Sequence, residues 1–194
     1  MAINRQLHIF LFTHLIIWTL VPTLTNHNLP LDTIEALAWG SNLDWGFNKH
    51  PPLSAAAVKI FYLIFGSQDW VYYFLSQLFV ITAFYFVYKL SNEILNKESY
   101  AFFSVLLLEG IYFYNFTTPE FNVNVCMLPF WAMTTYYGYK CLKDNLTKDY
   151  VIFGIVIALG FLSKYLFIYL IIGIKIFYIY YISKNNFKIN YIIP

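Results

Sequence analysis

The sequence predicts an all-α fold, a polytopic bundle of transmembrane helices, and three observations carry that prediction. Of the 194 residues, 60% are hydrophobic and 11% charged, whereas soluble domains run at roughly 45–50% apolar and about 25% charged. Mean hydropathy is +0.58. Several apolar runs are long enough to cross a hydrocarbon core, which takes about 20 residues of helix. The 20 Phe and 18 Tyr fall partly inside these runs and partly at their ends, where aromatic rings anchor at the interface.

The first run, residues 7–25, follows Arg5. It is longer than a secretory h-region and no small-x-small cleavage site comes after it, so it is expected to remain as a signal anchor. Residues 26–69 are too polar to span. Within them Leu31, Ile34, Leu37 and Ala38 form one stripe, with Asp32, Glu35, Trp39 and Asn42 opposite, the spacing of a short helix lying on a membrane surface. Pro51-Pro52 excludes helical geometry just before it and suits the first turn of a new helix, which is expected from Pro52 to about Phe65. Gly46 and Asn48 permit a tight turn that carries Lys49 and His50 back toward Asp32 and Glu35. Further spans are expected near 70–90, 99–116, 121–141 and 150–183, the last as two short spans broken near Ser163-Lys164-Tyr165. With no internal repeat or flexible linker, residues 1–194 read as one membrane domain with an outer loop at 26–69.

Lysine and arginine placement orients it. With Arg5 inside, the inner loops collect Lys89, Lys97, Lys140, Lys143, Lys148, Lys184 and Lys188, and the outer loops Lys49, Lys59 and Lys164. The loop at 26–69 is therefore expected to face outward. Cys126 and Cys141 lie on one expected helix about 22 Å apart, far beyond disulfide reach. The cysteine number and spacing exclude a thiolate zinc site, and no glycine-rich phosphate loop or nucleotide fingerprint is present. A net charge of +2 reflects the inner-loop bias, and no nucleic acid is expected as a partner.

Two polar concentrations stand out in so apolar a chain. The first is the outer loop, where Asp32, Glu35, Lys49 and His50 gather at headgroup depth. Singly, each has an ordinary structural use: Asp32 as a helix cap, Glu35 as an exposed first-turn acid, Lys49 and His50 as headgroup contacts. No single structural role needs all four. The second is the end of the 99–116 run, with Glu109 followed by Asn115, Glu120, Asn122 and Asn124. A carboxylate within hydrocarbon is costly, so Glu109 should face a bundle interior or a water-filled cavity. A different reading makes Glu109 and Lys164 a buried charge pair on the path of a small transporter, or of a non-enzymatic assembly partner.

The pattern of Asp32 through Trp39, then Asn42-Leu-Asp-Trp-Gly46, then His50-Pro-Pro-Leu53 resembles the first outer loop of bacterial glycosyltransferases related to protein O-mannosyltransferases and lipid A aminoarabinose transferases. The resemblance continues through Leu108–Asn115, Pro119–Asn124, Pro129–Ala132 and Gly160–Tyr165. It implies a GT-C type fold, of which this chain looks like the N-terminal part, either an active piece or an inactive truncated one. It also implies residence in a bacterial inner membrane, a polyprenyl-phosphate sugar donor, and a hydroxyl acceptor such as lipid A, a cell-surface glycan or a protein. By the same resemblance Asp32 is the general base, and Lys49, His50 and Lys164 meet the donor phosphate. Glu109, Glu120, Asn122 and Asn124 form an acceptor or second-loop site. The family's second acid is Thr33 here, so Glu35 would have to substitute. A divalent cation held by acids of both loops stays open, since hard-cation geometry is not legible from this spacing.

Overall fold

The computed structural model describes residues 2–185. Lys188 and the Tyr191–Pro194 segment lie outside the described residues. The fold is all-α: helices α1 (Ala2–Thr25), α2 (Leu31–Ser41), α3 (Leu53–Phe65), α4 (Asp69–Leu95), α5 (Glu98–Glu109), α6 (Val123–Asp144), α7 (Thr147–Ser163) and α8 (Ile168–Asn185), with single 3-10 turns at Tyr112–Tyr114 and Tyr165–Phe167.

α4 is the axis of the bundle, packed against α1, α5 and α6. Tyr72, Tyr73, Leu75, Val80 and Phe84 along it are almost fully buried. Around them the core is closed by Leu7 of α1, Ala101 and Val105 of α5, and Val125 and Cys126 of α6. α7 packs on α6. α8 is largely unburied, at 6% of its apolar window. Asn96 and Asn145 end α4 and α6 in the left-handed conformation at φ 52° and 50°, a cap that asparagine tolerates at low cost. Both cysteines are buried and free.

Among the described residues three helices are long and apolar enough to cross a membrane: Ile3–Thr25, Asp69–Leu95 and Tyr165–Lys184. The other apolar runs form helices too, but with different proportions. α6 has 22 residues yet carries Lys140, Lys143 and Asp144 in its last turns, and α7 has 17. The helix expected over 99–116 stops at Glu109 after 12 residues, about 18 Å at 1.5 Å per residue. Its physical stop is Asn115, whose side-chain amide donates to the Glu109 carbonyl at 2.7 Å and so satisfies an orphan helix terminus.

The segment from 110 to 122 then crosses the end of the bundle and is fastened to α4. The Ser76 hydroxyl donates to the Thr118 carbonyl, and the Gln77 amide donates to the Thr118 hydroxyl at 3.4 Å. Ser76, Gln77 and Thr118 are all fully buried. Gln77 also meets His14 Nε2 at 3.1 Å, which ties α1 into the same seam. On the other side Tyr73 holds the α1–α2 connection, accepting from the Asn26 amide at 3.1 Å and donating to the Asn28 carbonyl at 3.4 Å.

α2 and α3 form a helical hairpin at the same end of the bundle. Their close approach depends on Gly40, where an added Cβ would stand 2.9 Å from the Ala55 carbonyl oxygen of α3. Gly154 on α7 offers a contrast, with nothing within 4 Å of the corresponding position. Gly40→Ala is expected to cost about 1–3 kcal/mol by overpacking, read as a lower midpoint of thermal unfolding in detergent. Gly154→Ala should leave stability unchanged or raise it by up to about 1 kcal/mol through helix propensity. Equal effects at the two positions would contradict the packing described.

Candidate active site

α2 begins at Leu31 with Pro30 as its N-cap residue, so Asp32 sits inside the first turn and does not cap the helix. Its carboxylate turns instead toward the 118–122 segment. The Asn122 side-chain amide donates to Asp32 Oδ2 at 3.3 Å. In return the Asp32 backbone N–H donates to Glu120 Oε1 at 3.1 Å. Thr33, buried at 1% exposure, donates its hydroxyl to the Phe121 carbonyl at 3.2 Å. Three consecutive residues of one segment thus grip the first turn of α2.

Asn122 has a second task, which explains its fixed orientation. Its side-chain oxygen accepts from the N–H groups of Asn124 and Val125 at 2.9 and 3.2 Å, the N-cap arrangement for α6. With the oxygen committed to the helix, the amide nitrogen is left to face Asp32.

The turn between α2 and α3 is closed by the Phe47 N–H donating to the His50 carbonyl at 2.9 Å. Trp39 stacks on Phe47 with ring centroids 5.0 Å apart and planes at 9°, and it meets the His50 ring edge-on at 5.8 Å. Lys49 Nζ donates to Glu35 Oε1 at 2.7 Å. This hydrogen bond, and the charge behind it, raise the Lys49 pKa above its usual range. The pair is largely solvent-exposed, so its contribution to stability is small. The His50 pKa is lowered, first by burial and then by the Lys164 charge, against smaller opposing pulls from Glu35 and Asp32.

Asp32, Glu35, Trp39, His50 and Asn122 line one small cleft with Ser54 and Val123. Ser54 carried no sequence expectation, yet its hydroxyl is fully buried and has no hydrogen-bond partner among the described residues. The signal for it was positional: it lies in the first turn of the helix that the proline pair starts. Lys164, whose charge acts on His50, lies in the bent connection between α7 and α8 and donates to the Asn124 side-chain oxygen.

Glu109 does not join this group. Its carboxylate receives His14 Nδ1 at 2.7 Å and Trp18 Nε1 at 3.3 Å, both from α1. The pairing of Glu109 with Lys164 that a transport path would use is not formed. His14 is 3% exposed, and nothing in the hydropathy of α1 marked it as the partner that makes a carboxylate tolerable there. Among the described residues no three His, Cys, Asp or Glu side chains gather as a metal-ligand group.

Comparison with known proteins places the chain in a family. Residues 49–192 match the family model described as dolichyl-phosphate-mannose-protein mannosyltransferase. The chain is also 31% identical over 130 residues to an undecaprenyl phosphate-alpha-4-amino-4-deoxy-L-arabinose arabinosyl transferase of Wigglesworthia glossinidia brevipalpis. That alignment covers 63% of this chain and 22% of the relative, so the chain spans about a fifth of the relative's length. No solved structure matches. With the family model covering His50-Pro-Pro, the 110–122 segment and Lys164, the chain belongs to the dolichyl-phosphate-mannose-protein mannosyltransferase family.

Proposed function

We propose that the cleft at the α2 first turn is the acceptor-activating site of a membrane glycosyltransferase. It moves a sugar from a polyprenyl-phosphate donor to a hydroxyl on lipid A, a cell-surface glycan or a protein, at the outward face of a bacterial inner membrane. The observation that carries this reading is the Asp32 carboxylate. Oδ2 is held by Asn122, while Oδ1 has no hydrogen bond among the described residues and belongs to a side chain lining the cleft. Family membership supports the reaction class, and the named activity of the arabinosyl transferase relative supports a lipid-phosphate sugar donor.

In this mechanism Oδ1 of Asp32 takes the proton of the acceptor hydroxyl as that oxygen attacks the anomeric carbon. The anomeric carbon–phosphate oxygen bond breaks and the polyprenyl phosphate departs with the electron pair. Charge grows on the phosphate as it leaves, so cations fixed at that point favour the transition state. Lys164 suits this role, because an ammonium with three donors spends one on Asn124. Lys49 is engaged by Glu35 in the same way and keeps its other protons for a phosphate. His50, neutral at neutral pH, offers one N–H. Glu35 holds Lys49 in place and is not needed as a second base. Glu120 fixes the start of α2, with Asn122 and Asn124 as the second-loop side of the site.

Asp32→Asn is expected to lower transfer of radiolabelled sugar by about 10²–10⁴-fold, the usual weight of a general base, while donor binding persists. The assay uses membranes lacking related enzymes and a panel of polyprenyl-phosphate sugars. Unchanged transfer by the variant, or none by correctly inserted wild type, would contradict the assignment.

A second expectation concerns His50. Its folded-state pKa lies below 6.5, so the ring gains its proton only as the pH falls below that value, and the added charge then favours the donor phosphate. The donor KM should therefore fall as pH is lowered below 6.5 in the wild type and stay flat over that range in His50→Gln. The unfolded chain takes up this proton at higher pH than the folded one, so stability also declines as the pH drops through the same window. A KM with the same pH dependence in both proteins would remove His50 from the donor site.

A further inference from the structure

On the side of α2 away from Asp32 lies a second cavity that the transfer reaction does not use. It has a volume of about 340 Å³ and sits between α2, α3 and α4. Leu37 and Tyr72 give it apolar walls, and Lys59, Tyr62, Ser41 and Ser67 bring an ammonium and three hydroxyls to it. The two faces of α2 are set by sequence: Asp32, Glu35, Ala36 and Trp39 point one way, and Leu37 and Ser41 the other.

Lys59 is the unusual member. The stem of its side chain packs beside Gly40, whose absent Cβ would stand 3.4 Å from the Lys59 Cβ. Its ammonium stands 5.7 Å from the centre of the Tyr62 ring, and among the described residues no carboxylate forms an ion pair with it. No acidic residue lines the cavity. Its surroundings on α3 are apolar: Leu63, one turn beyond Lys59 on the same face, is 69% exposed, and Ile64 is 65% exposed. A cation with hydroxyl donors at the edge of an apolar hollow, opening beside bare leucine and isoleucine, matches an amphiphile that carries a negative head and hydrocarbon tails. Trp70, 40% exposed at the start of α4, marks the interfacial depth where such heads sit.

We propose that this cavity binds the phosphate headgroup of an anionic phospholipid, with Lys59 as its counter-charge, Ser67 and Tyr62 as hydrogen-bond donors, and an acyl chain lying along Leu63. The site would seat α2 and α3 on the membrane surface and so hold the hairpin that carries Asp32. The inference rests on the cavity and its charge alone and stands whether or not the transferase reading does.

Native mass spectrometry of the full chain, released from nanodiscs containing equal parts phosphatidylglycerol and phosphatidylcholine, tests it. The wild type should retain phosphatidylglycerol over phosphatidylcholine by roughly fivefold, the factor that corresponds to about 1 kcal/mol for one lysine at an anionic surface. Lys59→Gln should bring that ratio to about one, Lys59→Arg should keep it, and Lys97→Gln, a control lysine elsewhere on the surface, should leave it unchanged. Leu37→Trp, which fills the cavity without touching charge, should lower the lipid retained. Equal retention of the two lipids by wild type, or a preference that survives Lys59→Gln, would overturn the proposal. So would a preference for added polyprenyl phosphate over phosphatidylglycerol that depends on Lys59, because it would make the cavity part of the donor site.

Discussion

The grip of the 118–122 segment on the first turn of α2 is the contact on which the arrangement of the site depends. It joins two parts of the chain nearly ninety residues apart in sequence, with Asn122 on the Asp32 carboxylate, Thr33 on the Phe121 carbonyl and Glu120 on the Asp32 amide. None of these is strong alone, since a net hydrogen bond is worth about 0.5–1.5 kcal/mol. Their force comes from what stands behind them. Ser76 and Gln77 hold Thr118 from inside the bundle, where an unmade bond costs the full desolvation of the group. A polar seam buried in α4 therefore fixes the height and rotation of a surface helix, and through it the direction of one carboxylate.

The same seam gives the apolar bundle its other polar commitments a purpose. His14 reaches Gln77 with one nitrogen and Glu109 with the other, so α1, α4 and α5 share one connected set of hydrogen bonds. Within a bundle that offers little water, such a set must be nearly complete to be tolerated. At the opposite end of the helices, Glu93 of α4 pairs with Lys143 at 2.5 Å and with Lys140 at 3.7 Å on α6, and Lys89 lies 4.6 Å over the Tyr136 ring. The bundle is thus clasped at both ends by charge and filled between them by aromatic and aliphatic packing.

The parts of this structure governed by local pattern were legible in the sequence. The apolar stripe Leu31, Ile34, Leu37 marks α2 as a short helix, the Pro51-Pro52 pair marks α3 almost to the residue, and the glycine-containing turn returns Lys49 to Glu35 as its spacing suggests. What the sequence hides is set by partners far along the chain. The 99–116 run is largely apolar around Glu109 and Asn115, yet the helix stops at Glu109 because Asn115 satisfies its carbonyl and His14 draws its carboxylate inward; neither pairing has a local signature. The resemblance implies a second acid at the position held by Thr33, and the structure gives the physical reason an acid would be costly here: the position is buried against the Phe121 carbonyl, where a carboxylate would meet a lone pair. Asn122 is a site candidate by sequence, and its structural task has no local signature: one amide has two ends, the oxygen capping α6 and the nitrogen facing Asp32.

The α4 seam, through the 118–122 segment, sets the position of α2. Hydrogen–deuterium exchange of the wild type and Thr118→Val in matched nanodiscs tests this directly, since the substitution removes the buried hydroxyl while keeping the shape of the side chain. Faster exchange in both the 118–125 and the 31–36 peptides, with α7 unchanged, is the predicted result. Faster exchange confined to 118–125, with α2 as protected as in the wild type, would mean that α2 holds its place without that segment and would contradict the account.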